Sequence, residues 1–173
     1  SNSFCTLLAS THYRSTMRSV ATRGRKAIAA VATAEAAVAH LESIRLPADE
    51  CERKGRFIGL RPGYYGQHAH YLGIPMPPIR DLAKTGALPL SEVERLLSSR
   101  YHDARALAVH CLRHTYARAK KDDDATRRHT VELVLRNVHR LNNWDLVDVC
   151  CPFVLGHFIT EQVYRSSPVP APP

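Results

Sequence analysis

The sequence predicts an all-α fold. Apolar residues recur at three, four and seven over residues 25 to 45, and helical patterning resumes from Ile79 to near the end, while no stretch alternates as a half-buried strand would. At 173 residues with 45% hydrophobic content, the chain can build one domain with a sizeable core.

Ile28, Val31, Val38 and Leu41, with alanines between them, define the first helix, which Pro47 stops. Residues 59 to 78 carry four glycines and four prolines, so GLRPGYYGQHAHYLGIPMPP reads largely as loop. Tyr64, Tyr65 and Tyr71 alternate there with His68 and His70, side chains that can stack on a ligand or pack the loop onto the core. The glycines form neither GxGxxG nor a Walker sequence, so no phosphate cradle is expected. Ile79 to Lys84 makes a short helix closed by Gly86, and Ser91 with Glu94 reads as a capping box opening Val93 to Leu97. Asp103 is placed to cap the next helix, with Leu107, Cys111 and His114 beside Ala108, Leu112 and Tyr116 as its stripe. Asp122 to Asp124 reads as a solvated turn; Thr126 then precedes a helix expected to turn Val131, Val134, Leu135 and Val138 inward. The last predicted helix follows Asn142 and Asn143. The segments 92 to 118 and 127 to 150 have the size of HEAT-like helix pairs, which favours an α-α superhelical stack over a plain bundle. The expected organisation is a basic leader at 1–34, a helical domain at 35–160 and a Pro-rich tail at 161–173.

The formal charge of +8 is unevenly placed. Residues 1–34 hold five basic side chains and no acidic one, which leaves only +3 for the rest; the sum alone is weak support for nucleic-acid binding. The leader has the composition of an organelle transit segment, which leans the expected localisation towards the mitochondrion over the nucleus. Its alternatives are a basic tail or sequence upstream of an initiator at Met17. Five scattered cysteines without a CxxC pair argue against a disulfide framework or zinc knuckle. Cys150, Cys151 and His157 read as packing residues, since adjacent cysteines on a helix cannot both face one ion. No metal or cofactor is expected. No apolar run reaches the roughly 18 to 20 residues that span a bilayer, so no membrane partner is expected.

The chemistry concentrates in LNNWDLVD, residues 141–148, which holds the sole tryptophan. On a helix, Trp144 and Asp148 stand at i and i+4 on one face, and an indole beside a carboxylate holds a cation. Asp145 sits about 100° round the helix and is expected to serve the N-terminal turn. Arg80, Lys84, Arg113, Arg127, Arg128 and Arg140 are candidate phosphate contacts, with Tyr64 and Tyr65 as stacking side chains.

YYGQHAHYLGIPMPPIRDLAK, HDARALAVHCLRHTYA and RLNNWDLVDVCCPFVLGHF, in that order, resemble the AlkD-like DNA alkylation repair proteins, which are HEAT-like-repeat DNA glycosylases. The resemblance runs from about Arg53 to Phe158. It implies a stack of helix pairs holding duplex DNA with an alkylated purine on a concave basic face, with Trp144 and Asp148 in the cleft. The implied reaction is metal-free cleavage of the N-glycosidic bond of a cationic 3-alkyladenine or 7-alkylguanine, without the base extrusion most glycosylases use. Such proteins continue with further helix pairs that bring a second cleft tryptophan and an arginine. This sequence, with one tryptophan, matches the N-terminal part only, so the stack is expected to be truncated. The alternative is a non-catalytic scaffold or subunit of a larger assembly, such as an organellar ribonucleoprotein, with dimerisation expected through the truncated end.

Overall fold

The computed structural model describes residues 31–85, 88–119 and 123–166. Helices α1 (Ala34–Ser43), α2 (Ala48–Gly55), α3 (Met76–Lys84), α4 (Leu90–Leu97), α5 (His102–Arg118) and α6 (Asp124–Arg136) are followed by a 3₁₀ turn at Val138–Arg140. A last helical run holds α7 (Trp144–Cys150), a π turn (Cys151–Gly156) and α8 (His157–Ser166). The fold is all-α: among the described residues there is no strand, only an isolated bridge between His70 and Tyr101.

Helix α5 is the axis of the packing. Every residue from His102 to Leu112 is buried, because α1, α3, α4, α6 and α7 all lie against it. A helix covered on all sides must be apolar or must satisfy its polar members internally. Leu107, Ala108, Cys111 and Leu112 are among the apolar members. Asp103, Arg105 and His102 are tied to neighbouring loops and to α7, as described below.

Several local signals resolve differently from their sequence reading. Helix α1 starts at Ala34, not near residue 25: Thr33 Oγ1 accepts from Ala36 N at 3.2 Å, and Glu92 accepts from Ala34 N at 2.7 Å. The expected helix over residues 25–30 and residues 1–30 of the leader lie outside the described residues, as does Gly86. Ser91 does not cap α4, which begins a residue earlier behind Pro89. Its supposed partner Glu94 instead accepts from Asn137 Nδ2 at 2.8 Å and pairs with Arg136 at 3.4 Å. Helix α6 starts at Asp124, before Thr126 and within the acidic run read as a turn, capped by Asp123, whose Oδ1 accepts from Thr126 N at 3.1 Å. Leu135 and Val138 face solvent, while Leu133 and Val134 are buried; with four apolar residues crowded into Val131–Leu135, periodicity did not single out the buried phase.

Helix α8 continues to Ser166, six residues into the expected tail; residues 167–173 lie outside the described residues. The helix passes Pro152 by widening its turn. Proline has no N–H to offer the Asp148 carbonyl and its ring would press on that group, so a π turn relieves both problems. The resulting 23-residue helix is, by length and composition, long and apolar enough to cross a membrane, which corrects the expectation that no stretch would reach that length. Its two ends are tied to the rest of the fold: Leu146 and Cys150 are buried, and Arg165 pairs with Asp124 at 2.7 Å.

Candidate active-site cavity

The first residues of α7 open onto a cavity of about 480 Å³ lined by α2, the 57–76 segment, α3, α5 and α7. Trp144, Asp145, Asp148 and Val149 contribute from α7, His102, Val109 and His110 from α5, and Phe57, Tyr71, Ile74, Met76 and Arg80 from the opposite wall. Trp144 is 42% exposed, so the indole is a wall of the cavity and not part of the core. The i, i+4 spacing of Trp144 and Asp148 thus brings both to one opening, with Asp148 exposed at its edge.

Asp145 has two tasks. One carboxylate oxygen accepts from Leu146 N at 2.9 Å, the N-terminal role expected of it; the other lies 2.7 Å from Nε2 of His102, which is itself buried. The ring of Tyr71 meets His102 at 71° with centroids 5.9 Å apart. Burial, with Asp103 and Asp145 adding to it, pushes the Tyr71 phenol well above its ordinary range, so it stays a neutral donor. His110 is held the other way. Burial, reinforced by Arg80 and Arg113, pushes its pKa down to about 4, so it is neutral at physiological pH.

The loop wall is fastened by Asp103, which sits inside α5 and does not cap it. Its two oxygens accept from Leu72 N at 2.7 Å and Ile74 N at 2.9 Å, 31 and 29 residues back in the chain. Burial raises the Asp103 pKa against the opposing pull of these amides. His102 N donates to His70 O at 2.7 Å and His70 N to Arg100 O at 3.1 Å, which pins the loop at the start of α5. Gly73, at φ +75°, is required here: a Cβ would stand 2.9 Å from Cys51 Sγ. On the other wall Asn143 occupies the cap position of α7 without capping it; its Nδ2 donates to Ile58 O at 2.8 Å, joining α7 to the segment after α2.

The remaining predicted contacts are dispersed. Arg80 lines the cavity. Lys84 is exposed and pairs with Asp81 at 3.4 Å, and its carbonyl accepts from Arg118. Arg113 lies 3.8 Å over the Phe153 ring, Arg128 5.9 Å from that of Phe158, and Arg140 is exposed on the 3₁₀ turn. Arg127 is only 8% exposed, and its guanidinium holds Glu161 through two contacts at 2.8 Å and donates to Ala119 O, so it is committed within the fold. Tyr64 stacks with Arg61 at 3.7 Å, and the Tyr65 ring covers Gly59; neither lines the cavity. Sequence reasoning missed Phe57, His102 and His110 as cavity residues. Only proximity in the fold marks them, apart from the exposed aromatic just past a helix end at Phe57.

Among the described residues no group of three His, Cys, Asp or Glu side chains converges as a metal site, and burial pushes the Cys150 thiol up to about 12. The sequence pattern of the DNA alkylation repair enzyme family matches residues 26–168. The chain belongs to that family. The match covers α1 to α8, including both walls of the cavity, and it gives the chain a role related to DNA repair. No curated protein and no solved structure matches the chain.

Proposed function

We propose that the chain cleaves the N-glycosidic bond of cationic alkylated purines in duplex DNA. One observation carries the reading: a half-exposed indole and two carboxylates, Asp145 and Asp148, open onto one cavity in a member of a DNA alkylation repair family. An N-alkylated purine is positively charged, and an indole face attracts such a cation by about 0.5 to 2 kcal/mol according to desolvation. As the bond from the sugar C1′ to the base breaks, its electron pair leaves with the purine, which becomes neutral, and positive charge moves to the sugar. Asp148 stabilises that charge and takes the proton from the water that adds to C1′. Asp145, held by His102 at 2.7 Å, brings a second carboxylate to the same cavity. Arg80 at the cavity, with Lys84, Arg113, Arg128, Arg140, Tyr64 and Tyr65, supplies the phosphate and strand contacts of this reading, and Arg127 serves the fold.

The test is release of 7-methylguanine from methylated duplex DNA. Removing one charge-stabilising group costs on the order of 10² to 10³ in rate, so Asp148→Asn should fall by that factor with unchanged melting. Equal release by the variant would remove Asp148 from the mechanism, and no release by the wild type would overturn the activity.

A second reading, a scaffold or assembly subunit without catalysis, is favoured by one observation. Ile159, Val163 and Tyr164 on α8 are each about 60% exposed, apolar side chains, two of them one turn apart, that suit contact with another copy or a larger partner. Light scattering decides it: a dimer that Val163→Glu dissociates supports the assembly role, and a monomer at all concentrations removes self-association.

A further inference from the structure

We propose that His102 is a positioning residue that holds Asp145 as a stationary negative charge in the cavity and leaves the proton of the attacking water to Asp148; this rests on the alkylpurine reading above. Both carboxylates line the cavity, but they are held differently. One oxygen of Asp145 accepts from Leu146 N at 2.9 Å and the other lies 2.7 Å from His102 Nε2, so this carboxylate keeps one orientation. Asp148 is exposed, and among the described residues its carboxylate has no hydrogen bond or ion pair. A charge fixed before the reaction stabilises developing positive charge without reorganising, whereas a proton acceptor needs an oxygen that water can reach. As the bond from C1′ to the base breaks, its electron pair goes to the purine. Asp145 opposes the positive charge left on the sugar, the water oxygen bonds to C1′, and its proton passes to Asp148. Both groups address the sugar, so no base has to leave the stack. His102 is itself well held: it is 1% exposed, its backbone N–H donates to His70 O at 2.7 Å, and the Tyr71 ring meets it edge-on with centroids 5.9 Å apart. Its side chain makes a single hydrogen bond, to Asp145, while Nδ1 is buried without a partner among the described residues. A buried nitrogen without a partner costs stability, so packing alone would be served as well by a leucine. The bond to Asp145 is what the imidazole adds.

The experiment is single-turnover release of 7-methylguanine from methylated duplex DNA with the full chain in excess, which reads bond cleavage apart from affinity. Misplacing a group in a reacting site costs up to about 100-fold, so His102→Leu should slow release by about 10- to 100-fold, and Asp145→Asn by at least as much. The double variant decides between positioning and packing. If His102 acts through Asp145, adding His102→Leu to Asp145→Asn should slow release no further, because the charge it positioned is already gone. His102→Gln, whose amide nitrogen can stand in for Nε2, should recover most of the loss. An unchanged rate in His102→Leu overturns the proposal, as do losses that multiply in the double variant or a His102→Gln variant as slow as His102→Leu. Should His102→Leu melt below the assay temperature, Asp145→Asn alone still decides: wild-type release by that variant leaves His102 nothing to position and overturns the proposal, while the alkylpurine reading stands. If the wild type releases no 7-methylguanine, the alkylpurine reading itself fails and the proposal falls with it.

Discussion

Helices α5 and α7 pack against each other beside the cavity, and solvent treats them oppositely. From His102 to Leu112 α5 is buried without interruption, whereas α7 leaves Trp144, Val147 and Asp148 in water within two turns. The difference separates two kinds of work. The buried helix holds positions: Asp103 fixes the loop wall and His102 orients Asp145. The exposed helix carries the groups that can touch a ligand. Substitutions in α5 should therefore act first on stability, and substitutions on the outer face of α7 on binding and rate.

The largest effect is expected at Leu107, fully buried at the centre of α5. Leu107→Ala should cost about 3 to 5 kcal/mol in denaturant unfolding, through lost burial and the cavity left behind. A loss below about 1 kcal/mol would mean that α5 is not the axis of the core. Next is Asp103→Ala, which strands the amides of Leu72 and Ile74. About 3 kcal/mol is expected, with ligand binding weakened as well because the loop wall loosens. If binding is lost with stability intact, Asp103 belongs to the site and not to its support.

His110 gives a smaller effect with a definite sign. Its folded pKa of about 4 lies below the unfolded value, so the unfolded chain takes up the proton first as pH falls. Stability is fully present above about pH 6.5 and declines as pH drops towards 4, by on the order of 2 kcal/mol at pH 5. His40 and His114 are lowered by burial in the same direction. Melting curves at pH 7 and 5 should show a drop that is smaller in His110→Leu; an equal drop would locate the acid sensitivity elsewhere. The smallest effect is expected on the exposed side. Asp148→Asn should leave the unfolding free energy within about 0.5 kcal/mol, and a larger change would show α7 to be structural after all.

The readable parts of the molecule were those whose meaning is local. Trp144 and Asp148 lie four apart, so helix geometry placed them on one face before any contact was known, and the three quoted segments carried the family. Ser91 shows the limit of a local rule: a capping motif is overridden when Pro89 starts the helix earlier and Glu94 finds Asn137 across the fold. Asp145 was half legible, because its bond to Leu146 N is local whereas His102 comes from 43 residues back. The arginines were least legible. Their type announces charge, but only packing decides that Arg127 holds Glu161 while Arg80 reaches the cavity.

The widened turn at Cys151–Gly156 also sets the phase of everything beyond it. One extra residue in a helix advances all later side chains by about 100° relative to an unbroken continuation. The pairings of His157 with Tyr116 and of Glu161 with Arg127 exist only at that phase. Deleting a single residue within the turn would swing both away and bring a different stripe of α8 against α6. The segment thus behaves as a dial whose setting aligns the end of the helix independently of Trp144 and Asp148 at its beginning.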